Sequence, residues 1–131
     1  MIVNSPIEML KLGNKLAKEA KVLLLRGDLG AGKTLLTKGF AKGLGIDENI
    51  VQSPTYAYIN IYEDKLLHID MYRIEHYSDL VEKGILDQIH QYEYIVIERP
   101  KFIDKLGLIN YLNIEIIKKS VNIREVNIIK V

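Results

Sequence analysis

An α/β fold is predicted, a sheet with flanking helices that includes antiparallel hairpins, and three observations carry the prediction. Two short continuous apolar runs, Val22 to Leu25 and Tyr94 to Ile97, have the form of strands covered on both faces. Segments with helical spacing and helix-start residues lie before and between them. Two further stretches, Tyr56 to Asp70 and Tyr111 to Val131, break into paired runs around polar turns, as antiparallel hairpins do.

Composition bounds what such a fold can do. At 131 residues and 48% hydrophobic content, residues 1–131 make one domain with a core that needs no disulfides. The absence of cysteine excludes disulfides, cysteine-held zinc, iron–sulfur ligation and a thiol nucleophile. A net charge of +1 supplies no field to attract a polyanion, so no direct DNA binding is expected. No apolar run approaches the roughly 20 residues that span a bilayer, and Met1 to Ser5 lacks the basic flank and apolar core of a signal peptide. A soluble cytoplasmic protein, with no membrane partner, is the expectation.

Taken in order, Ser5-Pro6-Ile7-Glu8 joins a capping residue, a first-turn proline and a glutamate three after the cap, which predicts a helix start. Leu10, Leu16, Ala17 and Ala20 are expected on its buried face. The strand Val22 to Leu25 leads into the glycine-rich segment Gly27 to Gly32, and a second helix runs from Lys33 to Leu44 with Gly45 as its left-handed cap. Tyr56 to Tyr62 alternates with period two and Glu63-Asp64-Lys65 separates it from Leu66 to Asp70, giving the first hairpin. Ser78 to Gln91 reads as one or two short helices broken at Gly84. The strand Tyr94 to Ile97 ends at Glu98, because Pro100 cannot donate to a ladder. Tyr111 to Ile117 and Ile123 to Val131 form a terminal hairpin turning near Lys119-Ser120.

Gly27-Asp28-Leu29-Gly30-Ala31-Gly32-Lys33-Thr34 matches G-x-x-x-x-G-K-[ST] in full. Each fixed position has a physical use. Glycines let successive backbone N–H groups turn inward around a phosphate, Lys33 brings a point charge to the β and γ oxygens, and the Thr34 hydroxyl ligates the metal. The helix that follows adds its positive end, within reach of Leu35. A strand before and a helix after are the context the pattern requires, so the sheet is expected to be of the P-loop NTPase type. The guanine-reading Asn/Thr-Lys-x-Asp pattern is absent, which favours ATP with Mg2+.

Magnesium on a nucleotide takes a loop hydroxyl, phosphate oxygens, waters and an acidic residue at a neighbouring strand end. Glu98 and Asp70 both end strands. The position of Glu98 suggests the metal, with a surface glutamate just past a strand as the alternative, and Asp70 is read either as the group that orients or deprotonates the attacking water or as a hairpin-end cap. Arg73 either neutralises phosphate charge or pairs with Asp70 or Glu75. Ser53-Pro54-Thr55 lies where many phosphate-loop enzymes sense the γ-phosphate; Thr55 therefore joins Asp70 and Lys33 as a candidate catalytic residue, with an ordinary turn as the alternative. His68 is read as a packed hairpin residue rather than a ligand, and His76 and His90 as surface residues.

These segments in this order resemble the bacterial TsaE (YjeE) family. The matching pieces are the loop Gly27 to Thr34, Ser53-Pro54-Thr55-Tyr56, His68-Ile69-Asp70-Met71-Tyr72-Arg73, Gly84-Ile85-Leu86-Asp87 and Ile97-Glu98, spanning residues 5 to 100. The resemblance implies an ATPase acting with the TsaB and TsaD proteins in making threonylcarbamoyladenosine at position 37 of tRNA, the tRNA being met only through that complex. It implies that Lys33 and Thr34 hold phosphate and magnesium, that Glu98 is the metal-side glutamate, that Asp70 serves hydrolysis, and that the segment around Ser5 lies near the adenine. The chain departs from the family pattern at Met9, Leu35 and Arg99, where threonine, threonine and tryptophan are usual. Two rival functions share the loop: a small-molecule or nucleoside kinase, which needs an acceptor site and an arginine-bearing lid, and a non-catalytic ATP-sensing module.

Overall fold

The computed structural model describes residues 1–131. In chain order the elements are β1 (Ile2–Val3), α1 (Pro6–Leu16), β2 (Val22–Arg26), α2 (Lys33–Gly43), β3 (Ile59–Tyr62), β4 (Leu66–Asp70), α3 (Tyr77–Glu82), α4 (Ile85–Ile89), β5 (Tyr94–Glu98), β6 (Leu112–Lys118) and β7 (Arg124–Lys130), with 3-10 turns at Glu48–Ile50 and Ile103–Lys105. The strands form one seven-stranded sheet in the order β1-β7-β6-β2-β5-β4-β3. β2, β4, β5 and β6 run parallel, and the two edges are antiparallel, through the β3–β4 hairpin on one side and β6–β7 with β1 on the other. The α/β class with antiparallel hairpins is thus what the chain adopts.

The unbroken apolar run of β2 follows from its place at the centre. Leu23 and Leu25 point to the face covered by α1 and α2, while Val22 and Leu24 point to the face covered by α3, α4 and the segment around Leu106. Leu23, Leu24 and Leu25 are fully buried, each contributing about 2 kcal/mol of apolar transfer. No helix is long and apolar enough to cross a membrane.

α1 starts as expected: the Ser5 hydroxyl accepts from Glu8 N at 3.2 Å and Pro6 occupies the first turn. Its buried stripe differs from the prediction. Met9, Leu12, Gly13 and Leu16 face inward, Leu10 is only half-buried, and Ala17 and Ala20 lie beyond the helix end at the margin of the core. The reason is Gly13, which the sequence offers as a weak helix residue but which lets α2 come close; a Cβ there would lie 2.2 Å from Leu36 O, and one on Gly39 2.1 Å from Leu10 O.

The second correction concerns Tyr56 to Tyr58. Only Ile59–Tyr62 is strand; Tyr58 has φ +65° and its N–H closes a turn on Pro54 O at 2.8 Å, leaving Tyr56 exposed. The alternation of tyrosines there imitates a strand without a partner to pair with. Gly45 (φ +82°) ends α2 and Gly84 (φ +72°) separates α3 from α4, as expected.

Candidate functional site

Parallel pairing aligns the carboxyl ends of three strands. In register, Leu25 of β2 lies beside Glu98 of β5, and Asp70 of β4 lies on the other side of Glu98. The chain leaves β2 at Arg26 directly into Gly27, so the glycine-rich loop, Asp70 and Glu98 lie at the same end of the sheet, at the strand β2 where the sheet order reverses between β5 and β6.

The loop is shaped by Gly30 (φ +81°) and Gly32 (φ +120°), conformations that a side chain resists. A Cβ on Gly27 would meet Ile116 O at 2.7 Å, so β6 fixes the loop's base. Ala31 N donates to Asp28 O at 3.0 Å, but the N–H groups of Gly30, Gly32, Lys33 and Thr34 donate to no protein acceptor. Four amides at the mouth of α2 are therefore available to an anion, and this donor set fits phosphate oxygens.

Lys33 is 5% exposed, and its ammonium donates back to Gly27 O at 2.5 Å and Asp28 O at 3.0 Å. Burial, with the Arg99 guanidinium adding to it, holds this ammonium below the ordinary lysine range, against the pull of Glu98, Asp70 and Asp28. Thr34 is half-buried in the first turn of α2, beside Leu35.

The two carboxylates have different surroundings. Asp70, 1% exposed, accepts from Tyr72 N at 2.8 Å on one oxygen and from the Thr55 hydroxyl at 3.0 Å on the other, with Arg99 3.6 Å away. Thr55 in turn lies 2.8 Å from the Ser53 hydroxyl. Glu98, 2% exposed, meets His68 Nε2 at 2.6 Å. A carboxylate only accepts, so Nε2 donates, and Nδ1 lies 2.9 Å from the Tyr62 hydroxyl. Tyr62 also hydrogen-bonds both backbone groups of Gln52, next to Ser53. Burial above all holds Tyr62 in its phenol form, raising it beyond the ordinary tyrosine range.

Lys33, Thr55, Asp70 and Glu98 thus lie together at the carboxyl ends of β2, β4 and β5, with Thr34 next to Lys33 at the start of α2. Ser5 lies to the side, in a small pocket with Met9, Gly32, Leu35, Val121 and Asn122. Arg73 is elsewhere, over the Tyr58 ring at 5.5 Å, and the cation that pairs with Asp70 is Arg99, stacked on Tyr72 at 4.4 Å. His68 is packed, as expected, but is also Glu98's partner; a histidine inside an apolar strand, two residues before Asp70, was the available signal. His76 and His90 are exposed. Met9 lies beneath the loop, its Cε 3.2 Å from where a Gly32 Cβ would be. Arg124 of β7, which no motif marked, donates to the loop carbonyls of Ala31 (2.8 Å) and Gly30 (3.2 Å).

A family model described as threonylcarbamoyl adenosine biosynthesis protein TsaE matches residues 3–126. The chain belongs to the TsaE family. The tRNA threonylcarbamoyladenosine biosynthesis protein TsaE of Bacillus subtilis is 44% identical over 98 residues, covering 72% of this chain and 60% of that one. Its counterpart in Aquifex aeolicus is 41% identical over 95 residues, covering 66% of this chain and 71% of that one. The match therefore spans about three fifths of the Bacillus relative's length. Among solved structures, Bacillus subtilis YdiB superposes with TM-score 0.68 at 31% identity, over 96% of this chain and 80% of that one. The TsaE-family match includes the loop, the strand-end carboxylates and most of the C-terminal hairpin.

Proposed function

We propose that the chain binds ATP with magnesium and hydrolyses it in support of threonylcarbamoyladenosine formation on tRNA, acting on the TsaB and TsaD proteins in the cytoplasm. The observation that carries this reading is the run of unpartnered amides at Gly30, Gly32, Lys33 and Thr34, opening beside two buried strand-end carboxylates. The names of the relatives supply the pathway.

In this reading the loop amides and Lys33 hold the β and γ phosphates, and Lys33 exchanges its carbonyl partners Gly27 and Asp28 for phosphate oxygens. Magnesium, when bound, neutralises charge developing on the transferred phosphoryl group. Thr34 and Glu98 would hold it; no cluster of three acidic or histidine side chains exists to bind an ion by itself, which suits a metal held largely by phosphate and water. His68 fixes the orientation of the Glu98 carboxylate. Asp70 orients or deprotonates the attacking water, and its hydrogen bond from Thr55 ties the Ser53–Thr55 segment to it. Ser5 and Leu35 line the pocket offered to the base.

A sensing module without hydrolysis is the second reading, favoured by one observation: both Asp70 oxygens already accept hydrogen bonds. Titration calorimetry with MgATP and MgGTP, and phosphate release with and without TsaB and TsaD, tests both. The expected result is binding of MgATP, slow release alone and a changed rate with partners, all lost in Lys33→Ala. Absence of binding heat ends the reading. Binding without phosphate release under any condition leaves the sensing module.

A further inference from the structure

We propose that Arg124 is a positioning residue that holds the glycine-rich loop in its phosphate-receiving shape by tying it to the β6–β7 turn. The proposal rests on the nucleotide-binding reading and deepens it.

The reason lies in peptide geometry. When successive N–H groups of a loop turn inward to one point, the carbonyls of the same peptides turn outward, and those acceptors need donors. Two cationic side chains donate to the loop's carbonyls, and one of these acceptors, Ala31 O, shares its peptide with the unpartnered Gly32 N–H. Lys33 takes Gly27 O and Asp28 O, and Arg124 takes Ala31 O through Nε and Gly30 O through a terminal nitrogen. Binding of a phosphate draws Lys33 away from its carbonyls; Arg124, which also borders the pocket beside Ser5, is held by backbone carbonyls at both ends of its guanidinium and is the contact that stays.

The other end of the guanidinium is anchored as well. Its remaining terminal nitrogen donates to Ser120 O at 2.8 Å, Ile123 O at 3.2 Å and Val121 O at 3.3 Å. One planar fork, on a residue 93 positions beyond Ala31, therefore bridges the loop and the β6–β7 turn. A lysine, with a single ammonium on a flexible stem, cannot span both sets of carbonyls at once. The loop needs the help, because its glycines at 30 and 32 lose more conformational freedom on ordering than any other residue type. All acceptors are backbone atoms, so the device constrains no side chain of the loop, and this is why no pattern of spacing marks it.

The test compares wild type, Arg124→Ala, Arg124→Lys and Val126→Ala, the last removing packing from a buried position of the same strand. MgATP affinity, thermal midpoint and hydrogen exchange of the Gly30 to Lys33 amides in nucleotide-free protein are measured on each. Arg124→Ala is expected to weaken MgATP about tenfold and to speed exchange of those amides. Arg124→Lys restores part of both, whereas Val126→Ala lowers the midpoint yet changes affinity less than about twofold. Wild-type affinity and exchange in folded Arg124→Ala overturn the proposal. So does an equal loss of affinity in Val126→Ala, which reduces Arg124 to a contributor to stability. Should wild type fail to bind MgATP, the nucleotide reading falls on its own; exchange then decides whether Arg124 orders the loop, faster exchange in Arg124→Ala upholding that and unchanged exchange refuting it.

Discussion

Asp70 and Glu98 are neighbours in register at the ends of β4 and β5, two buried carboxylates whose repulsion is met by different partners, Thr55 with Arg99 for one and His68 for the other. Asp70→Asn keeps the shape and most of its hydrogen bonds, so MgATP affinity is expected to hold while phosphate release falls about 100-fold, read by parallel calorimetry and phosphate assay. His68→Leu leaves Glu98 buried without its donor and is expected to cost about 1–3 kcal/mol in denaturant unfolding, a cost that shrinks when Glu98→Gln is added. Lys33 makes a prediction about pH. An unfolded lysine keeps its proton to its ordinary value of 10.5, whereas folded Lys33 releases it earlier. Between those two values the unfolded chain binds more protons, so this group makes stability rise with pH across that alkaline window. Unfolding curves of wild type and Lys33→Met, without nucleotide or metal, should show a difference that grows with pH there; a flat or falling difference removes the burial argument. At this scale the loop and both carboxylates were legible because their chemistry demands fixed residue types. The Arg99–Asp70 and Arg124–loop contacts were not, since one depends on a left-handed turn at Arg99 (φ +51°) and the other on backbone acceptors.

α2 presents Lys33 and Thr34, and its height over the sheet is set by α1, against which it packs through Gly13 and Gly39 with backbone almost touching backbone. Gly39→Ala puts a methyl group into Leu10 O, and the expected loss is about 3 kcal/mol in unfolding free energy together with weaker MgATP binding, because the two helices separate and the loop moves with α2. Wild-type stability in that variant would mean the helices slide freely. Most elements were readable one by one: the apolar runs of β2 and β5, the cap at Ser5, the breaks at Gly45 and Gly84. The misreading at Tyr56 to Tyr58 has a local cause, the turn that Pro54 starts and that Tyr58 closes with positive φ. Alternation reports which side chains could share a face; it does not report whether a neighbouring strand is there.

Across the whole molecule, the order of strands was out of reach of pattern reading. The C-terminal hairpin could be drawn, but its parallel pairing with β2, which brings Ile116 under Gly27 and Arg124 to the loop, joins segments far apart in the chain. A ligand that binds only the folded state couples to this entire arrangement. At 100 times its dissociation constant MgATP is expected to raise unfolding free energy by about 2.7 kcal/mol, with no such gain in Lys33→Ala, by thermal or denaturant melts. The exposed turn at Tyr56 has one practical consequence. The chain contains no tryptophan, and Tyr56 is 86% exposed on the segment fastened through Gln52 to Tyr62 and through Thr55 to Asp70. A single indole placed there, Tyr56→Trp, would be the sole fluorophore of its kind, so its emission would follow that segment optically, turnover by turnover, without any added dye.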